Sequence, residues 1–238
     1  ATRAWRRPVE PAVVDALCRL IDEAEAAGRG RVAGLRSAIA AVLAAPECVF
    51  RIEGPAPAGS TGAVPVPDVE LATRLSYFLW SSCPDEELLD LAIRGELAPN
   101  LDAQVRRMLA DPKAAALVDQ FAMQWLGLGR LATHGVDAEQ FPLWRPELAA
   151  AMVEETRRYV EDVFRNDRSL LELLDSDFTW VNLNLAAVYG LDPRPPLKKH
   201  EWRRVAVDPA VRGGLLAQAA VLTVTSNPAR TSPVKRGK

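Results

Sequence analysis

The chain has 238 residues, 49% hydrophobic and 25% charged, a balance that suits a globular core and excludes a disordered chain. No window approaches the roughly 20 uninterrupted apolar residues of a membrane span, and the basic start, residues 1–11, lacks the apolar run of a signal peptide, so the mature chain is expected to begin elsewhere or this is an internal segment. The formal net charge of −2 hides an asymmetry: residues 1–189 carry 19 Lys/Arg against 28 Asp/Glu and residues 190–238 carry 10 against 3, so a basic end follows an acidic body and either holds an anion, docks on the acidic remainder or is a basic surface.

Val13, Val14, Leu17, Cys18, Leu20 and Ile21 recur at helical spacing and predict a helix from residue 11 to about 27, ended by Gly28 and Gly30. A second helix is predicted over about 32–45 with Leu35, Ile39, Val42 and Leu43 inward, stopped by Pro46. Residues 48–52 read as short and extended. Residues 54–67 hold four prolines among glycines and small residues without periodicity, which marks a linker.

Asp68 is expected to cap the next helix, with Leu71, Leu75, Phe78 and Leu79 as its stripe. Pro84, Asp85 and Glu86 open another, because proline's missing N–H costs nothing in a first turn and acids face the positive end of the dipole. Helices are predicted over 101–110, from Asp111-Pro112 through Trp125, and from Pro146 past Phe164. In the last of these the acids Glu154, Glu155, Glu161 and Asp162 interleave with Arg157 and Arg158, the pattern of a solvated, ion-paired face. Short helices near 170–174, 183–189 and 215–222 and a short strand near 203–207 complete the prediction of an all-α fold, compact, with little or no sheet.

No phosphate loop, nucleophile elbow or zinc-protease helix is present. Histidine is limited to His134, in a loop, and His200, among basic residues. Cys18, Cys48 and Cys83 have no metal-ligand or haem-attachment spacing; Cys18 and Cys48 read as small buried hydrophobes and Cys83 as a structural residue at a helix start, so no metal site is expected. Asp175, Asp177, Asn182 and Asn184 offer oxygens to a hard cation without regular spacing, and helix capping is the plainer role. Of the six tryptophans, Trp80 and Trp125 sit in apolar helical contexts and are expected in the core, while Trp144 and Trp202 are the surface candidates. Tryptophan and arginine do not interleave as a nucleic-acid platform requires.

The last stretch differs. Asn227, Arg230, Thr231, Ser232, Lys235 and Arg236 gather hydroxyls, an amide and cations with no acid among them, the chemistry of an anion or sugar site, or of a polar connector. Asn227-Pro228 and Ser232-Pro233 are turn formers that fold this segment back.

The stretches LATRLSYFLWSSCPDEELLDLA, QVRRMLADPKAAALVDQFAMQWLGL and RGGLLAQAAVLTVTSNPARTSPVKRGK resemble domains of unknown function 1592 and 1588 of large secreted proteins of planctomycete-type bacteria, and the start, RAWRRPVEPAVVDALCRL with GLRSAIAAVLAAPECVFRIE, resembles the companion domain 1595. The resemblance implies a 1595-like N-terminal helical domain at 1–53, the linker at 54–67, a central 1592-like helical domain at 68–195 and the start of a 1588-like domain at 196–238, cut short inside its motif. It also implies export, to the periplasm or outside the cell, and a c-type cytochrome module elsewhere in the polypeptide; haem c would lie outside these residues, which hold no cofactor motif.

The leading expectation is therefore a substrate- or partner-binding module of an exported, cytochrome-linked multidomain protein, involved in redox chemistry or polymer breakdown. Its partners would be other domains of the same polypeptide, a protein complex or a polysaccharide, with no nucleic acid and no membrane span. Two other expectations are a carbohydrate-active hydrolase using the Asp175–Asp177 acids with tryptophan stacking, and a structural scaffold. The first is favoured by two carboxylates in an open cleft; the second by no pocket near Arg230 and Lys235.

Overall fold

The structure is a computed structural model that describes residues 1–55 and 59–237. Ala56, Pro57 and Ala58 of the expected linker and the terminal Lys238 lie outside the described residues. Among the described residues the fold is all-α apart from one two-stranded sheet, and the chain divides into two compact units, Ala1–Lys113 and Ala114–Lys238.

The N-terminal unit contains α1 (Thr2–Trp5), α2 (Pro11–Ala26), α3 (Arg31–Ala44), α4 (Pro46–Val49), α5 (Asp68–Trp80), α6 (Glu86–Ile93) and α7 (Leu101–Ala110). Of residues 48–52, expected to be extended, Cys48 and Val49 are helical instead: they close α4, which starts at Pro46 because proline supplies a first-turn φ and Glu47 faces the helix N-terminus. The α2–α3 hairpin corrects a second expectation: its interface is made of small residues. A Cβ on Gly34 would stand 2.6 Å from Ile21 Cα, so the two backbones meet through Ala24, Gly34 and Ala38, which are buried. Leu35, Ile39 and Leu43 are turned outward, about half exposed. Cys18 is exposed and Cys48 half-buried, not core residues.

Arg6 is buried. Its guanidinium donates to the carbonyls of Glu47 and Phe50 at 2.7 and 2.9 Å, and to those of Ala4 and Cys48. It thereby supplies donors to the carbonyl end of α4, where a cation also meets the negative pole of the helix. Asp68 does not cap α5; its carboxylate accepts from Leu97 N at 2.7 Å and Ala98 N at 3.4 Å. Asp85 caps α6 by accepting from Leu88 N and receives a two-pronged contact from Arg107 at 2.6 and 3.0 Å. Trp80 is buried as expected, its indole N–H on the Met108 carbonyl at 2.9 Å.

The C-terminal unit is organised by the 20-residue α9 (Pro146–Arg165). Ahead of it, residues 117–122 form a wide π-type turn that runs into α8 (Met123–Trp125). The extra residue per turn rotates the following side chains off the core face, and Trp125 is 65% exposed, contrary to its expected place in the core. After α9 come β1 (Phe178–Val181), α10 (Leu183–Tyr189), β2 (Arg203–Ala206), α11 (Pro209–Arg212), α12 (Ala219–Val224) and α13 (Pro233–Arg236). The strands pair antiparallel, Phe178 opposite Ala206 and Val181 opposite Arg203. Leu148, Ala151 and Met152 of α9, Leu185 of α10 and Ala220, Val221 and Val224 of α12 share one buried cluster with Leu128 and Leu131. Tyr159 and Val160 join Val118, Ala122, Phe178 and Leu215 in a second.

Gly214 fixes the entry to α12. It has φ +65° and a Cβ there would lie 2.2 Å from Leu174 O, so both the backbone conformation and the close approach exclude a side chain.

A candidate ligand cleft over a buried glutamate

A cleft of about 700 Å³ opens in the C-terminal unit. One wall is apolar: Phe141, Leu143 and Trp144 from the loop before α9, Leu148 and Met152 of α9, and Leu222 of α12. The other wall carries Tyr189 at the end of α10, Arg212 at the end of α11, and the segment after α12. No aspartate or glutamate lines it among the described residues.

Of the residues singled out in the basic end, the structure brings Asn227, Arg230, Thr231 and Arg236 to the cleft, together with Trp144. Asn227 N donates to Arg230 O at 2.8 Å and Arg230 N to Asn227 O at 3.4 Å, closing a tight turn across Pro228 and Ala229. Ser232 and Lys235 do not line the cleft. Ser232 caps α13 by accepting from Lys235 N, and Lys235 Nζ donates to Ser226 O at 3.1 Å, which ties α13 back to the end of α12. Trp202 packs against the core under the Arg158 guanidinium, 5.0 Å from its ring centre. His134 does line the cleft; burial, then Lys235 and Arg130, hold its pKa below the usual histidine value, so the ring is neutral near pH 7. Asp175 and Asp177 are exposed and outside the cleft, while Asn182 caps α10 through Leu185 N.

Arg212, Tyr189 and Glu155 are not among the residues the sequence singles out. The charge pattern places Glu155 on the solvated face of α9, yet it is 0% exposed. Its position follows from the helix: Leu148, Met152, Tyr159 and Val163 are spaced by four and seven residues, and Glu155 falls in the middle of that stripe. The carboxylate accepts from Thr179 Oγ1 at 2.6 Å and from the Tyr189 hydroxyl at 2.5 Å. The same hydroxyl accepts from Ala219 N at 2.9 Å, so α9, β1, α10 and α12 are joined at one point. Burial raises the Glu155 pKa to about 7, against the opposing effect of the two hydroxyl hydrogen bonds and of Arg212. Burial, then the Glu155 charge, raise the Tyr189 pKa, so its hydroxyl stays protonated. Arg212, which lines the cleft, stands over this ring, its guanidinium carbon 3.8 Å from the Tyr189 ring centre.

The N-terminal unit has a smaller hollow of about 220 Å³ near Arg7, Arg51 and Arg74. Arg74 pairs there with Glu53, and Arg7 donates to Ile52 O at 2.9 Å, so these cations are engaged in holding the segment 51–54. Among the described residues there is no group of three or more His, Cys, Asp and Glu able to hold a metal ion, and no helix long and apolar enough to cross a membrane.

Two family models match. Residues 66–191 match PSD4, protein of unknown function (DUF1592), and residues 1–53 match PSD5, protein of unknown function (DUF1595). No curated protein and no solved structure matches. The first match takes in α9, α10 and the loop of the apolar wall, whereas Arg212 and residues 219–236 of the opposite wall lie beyond it. Since that match spans more than half of its residues, the chain belongs to the PSD4 family of proteins of unknown function (DUF1592).

Proposed function

We propose that the chain is a binding module whose C-terminal unit receives a small organic ligand in the cleft between α9, α10, α12 and the basic end. The observation that carries this reading is the cleft itself: about 700 Å³, with Trp144, Leu148 and Met152 facing a polar, cationic wall. A concave, largely apolar site with a few polar groups is the usual form of a small-molecule site.

The wider setting rests on resemblance. The run from 212 to 238 resembles domain 1588 of exported, cytochrome-linked proteins, which supports a role in presenting a substrate, or a group on a partner domain, to redox or polymer-degrading chemistry carried out elsewhere. None of Cys18, Cys48 and Cys83 stands in a Cys-x-x-Cys-His run, so in this reading any haem c belongs to another part of the polypeptide.

Filling the cleft tests the reading. Ala187 is exposed and lines it, so Ala187→Trp obstructs the site without removing a core contact. Calorimetric titration with 2-naphthamide, a neutral bicyclic probe, is expected to give saturable binding to the native chain and none to the variant. Equal binding to both contradicts the assignment.

A further inference from the structure

The charges around the cleft narrow the ligand class; this step rests on the reading of the cleft as a ligand site. Three arginines line it, Arg212, Arg230 and Arg236, and none has a carboxylate partner within 4.0 Å among the described residues. Other arginines of the same unit are paired, Arg157 with Asp119, Glu154 and Glu161, Arg168 with Glu172, and Arg203 with Glu201, while Arg130 and Arg145 meet only backbone carbonyls. Three of the unit's unpaired arginines thus line a cleft that no aspartate or glutamate lines among the described residues.

They are not equivalent. Arg230 and Arg236 are exposed on the rim, where water and salt screen them. Arg212 is half-buried and held by two contacts: its guanidinium carbon stands 3.8 Å from the Tyr189 ring centre and its Nη1 donates to Ala217 O at 3.3 Å. The ring is itself held by Glu155 and by the Ala219 amide. A guanidinium fixed in this way has lost its side-chain freedom before a ligand arrives, and its remaining N–H donors match two parallel oxygens.

We propose that the occupant is an organic carboxylate with an aryl or acyl body: its head pairs with Arg212 beside Tyr189, its body lies against Trp144, Leu148 and Met152, and Arg230 and Arg236 attract it to the mouth. A single fixed cation inside, rather than a cluster of fixed cations, suits one negative charge, and the apolar wall suits a body without hydroxyls. Glu155 supports the assignment from beneath. Its ionised form is favoured by Arg212, so a carboxylate that neutralises Arg212 favours the protonated glutamate, and binding near pH 7 takes up a proton. The groups facing Glu155 are Thr179 from β1, Tyr189 from α10 and Arg212 from α11; on its own helix, Glu154 and Arg158 are paired with each other.

The test compares three probes on the full chain by calorimetry: 2-naphthoate, 2-naphthamide and 2-naphthyl phosphate. The carboxylate is expected to bind at least about tenfold more tightly than the amide, the order of one charge-assisted pair. Arg212→Gln is expected to bring the two within about twofold of each other, and Arg230→Gln to weaken the preference by about threefold. Arg230 is exposed, so its variant folds regardless, and the native chain gives a further readout: high salt weakens naphthoate and leaves naphthamide unchanged. Comparable binding of acid and amide at all salt concentrations overturns the carboxylate while leaving the cleft assignment intact. A phosphate more than about tenfold tighter than the carboxylate also overturns it. If no probe binds, both the carboxylate and the cleft assignment fall.

Discussion

The Tyr189 hydroxyl stands 2.5 Å from the buried carboxylate of Glu155 and donates to it, while the face of the same ring carries Arg212. Glutamate thus meets the hydroxyl of one phenol and arginine its ring, the first sealed in the core of the C-terminal unit and the second on the wall of its cleft. The stability of this stack is measurable without any ligand.

Glu155 makes stability fall with rising pH. Its pKa is about 7 in the folded chain against the usual 4.5. Between these values the unfolded chain has given up its proton and the folded chain has kept it, so the stabilisation present below pH ~4.5 is lost as pH rises through ~7. The loss is on the order of 3 kcal/mol. Melting temperatures at pH 5 and pH 8 are expected to differ in that direction, and the difference to shrink in Glu155→Gln. A variant with the full native pH dependence contradicts the assignment.

Tyr189→Phe removes the hydroxyl that accepts from Ala219 N and donates to Glu155. Losing a buried partner costs about 1–3 kcal/mol. The Tyr189 hydrogen bond also lowers the Glu155 pKa, so its removal shifts the pH-dependent loss of stability to higher pH. Denaturation midpoints across a pH series measure both effects; an unchanged profile rules out the coupling.

Gly214→Ala meets Leu174 O at 2.2 Å with φ at +65°. Two strains combine, and a loss of roughly 2–4 kcal/mol is expected. Gly129→Ala, in the 3-10 turn at 128–133 and with nothing within 4 Å of the added carbon, serves as the control and is expected to be neutral or slightly stabilising. Thermal melts that place both variants together contradict the account of the α12 entry.

Arg6 is the corresponding test for the N-terminal unit. Arg6→Ala leaves the carbonyls of Glu47 and Phe50 without their short contacts and is expected to cost about 2–4 kcal/mol. Arg6→Lys, with one compact ammonium in place of a fork, recovers only part of that. A lysine variant as stable as the native chain shows that charge alone suffices.

Much of the fold was legible where one periodicity dominates. Helices α2, α3, α5, α6, α7 and α9 follow from apolar spacing and from prolines and acids at their starts. What failed were inferences about which side of a helix is buried. The α2–α3 hairpin buries glycine and alanine, and an α3 whose polar side chains are limited to Arg31, Arg36 and Ser37 gives no sign that Leu35, Ile39 and Leu43 are the outward set. Trp125 was misplaced because a π-type turn shifts the helical register, and no residue at 117–122 signals such a turn. At the cleft, the excess of hydroxyls and cations without acids pointed to Asn227, Arg230, Thr231 and Arg236. Arg212 and Tyr189 were invisible, since nothing local marks an arginine that stacks on a tyrosine 23 positions earlier. Glu155 was concealed by its charged neighbours Glu154, Arg157 and Arg158, although the seven-residue step from Met152 to Tyr159 leaves it on the buried face.

The most direct measurement is calorimetric titration of 2-naphthamide and 2-naphthoate into the native chain and into Ala187→Trp. Saturable one-site binding to the native chain, lost in the variant while its melting temperature is kept, is the predicted result. Binding that persists unchanged with the cleft filled, or no binding to the native chain, contradicts the claim that this cleft is a ligand site.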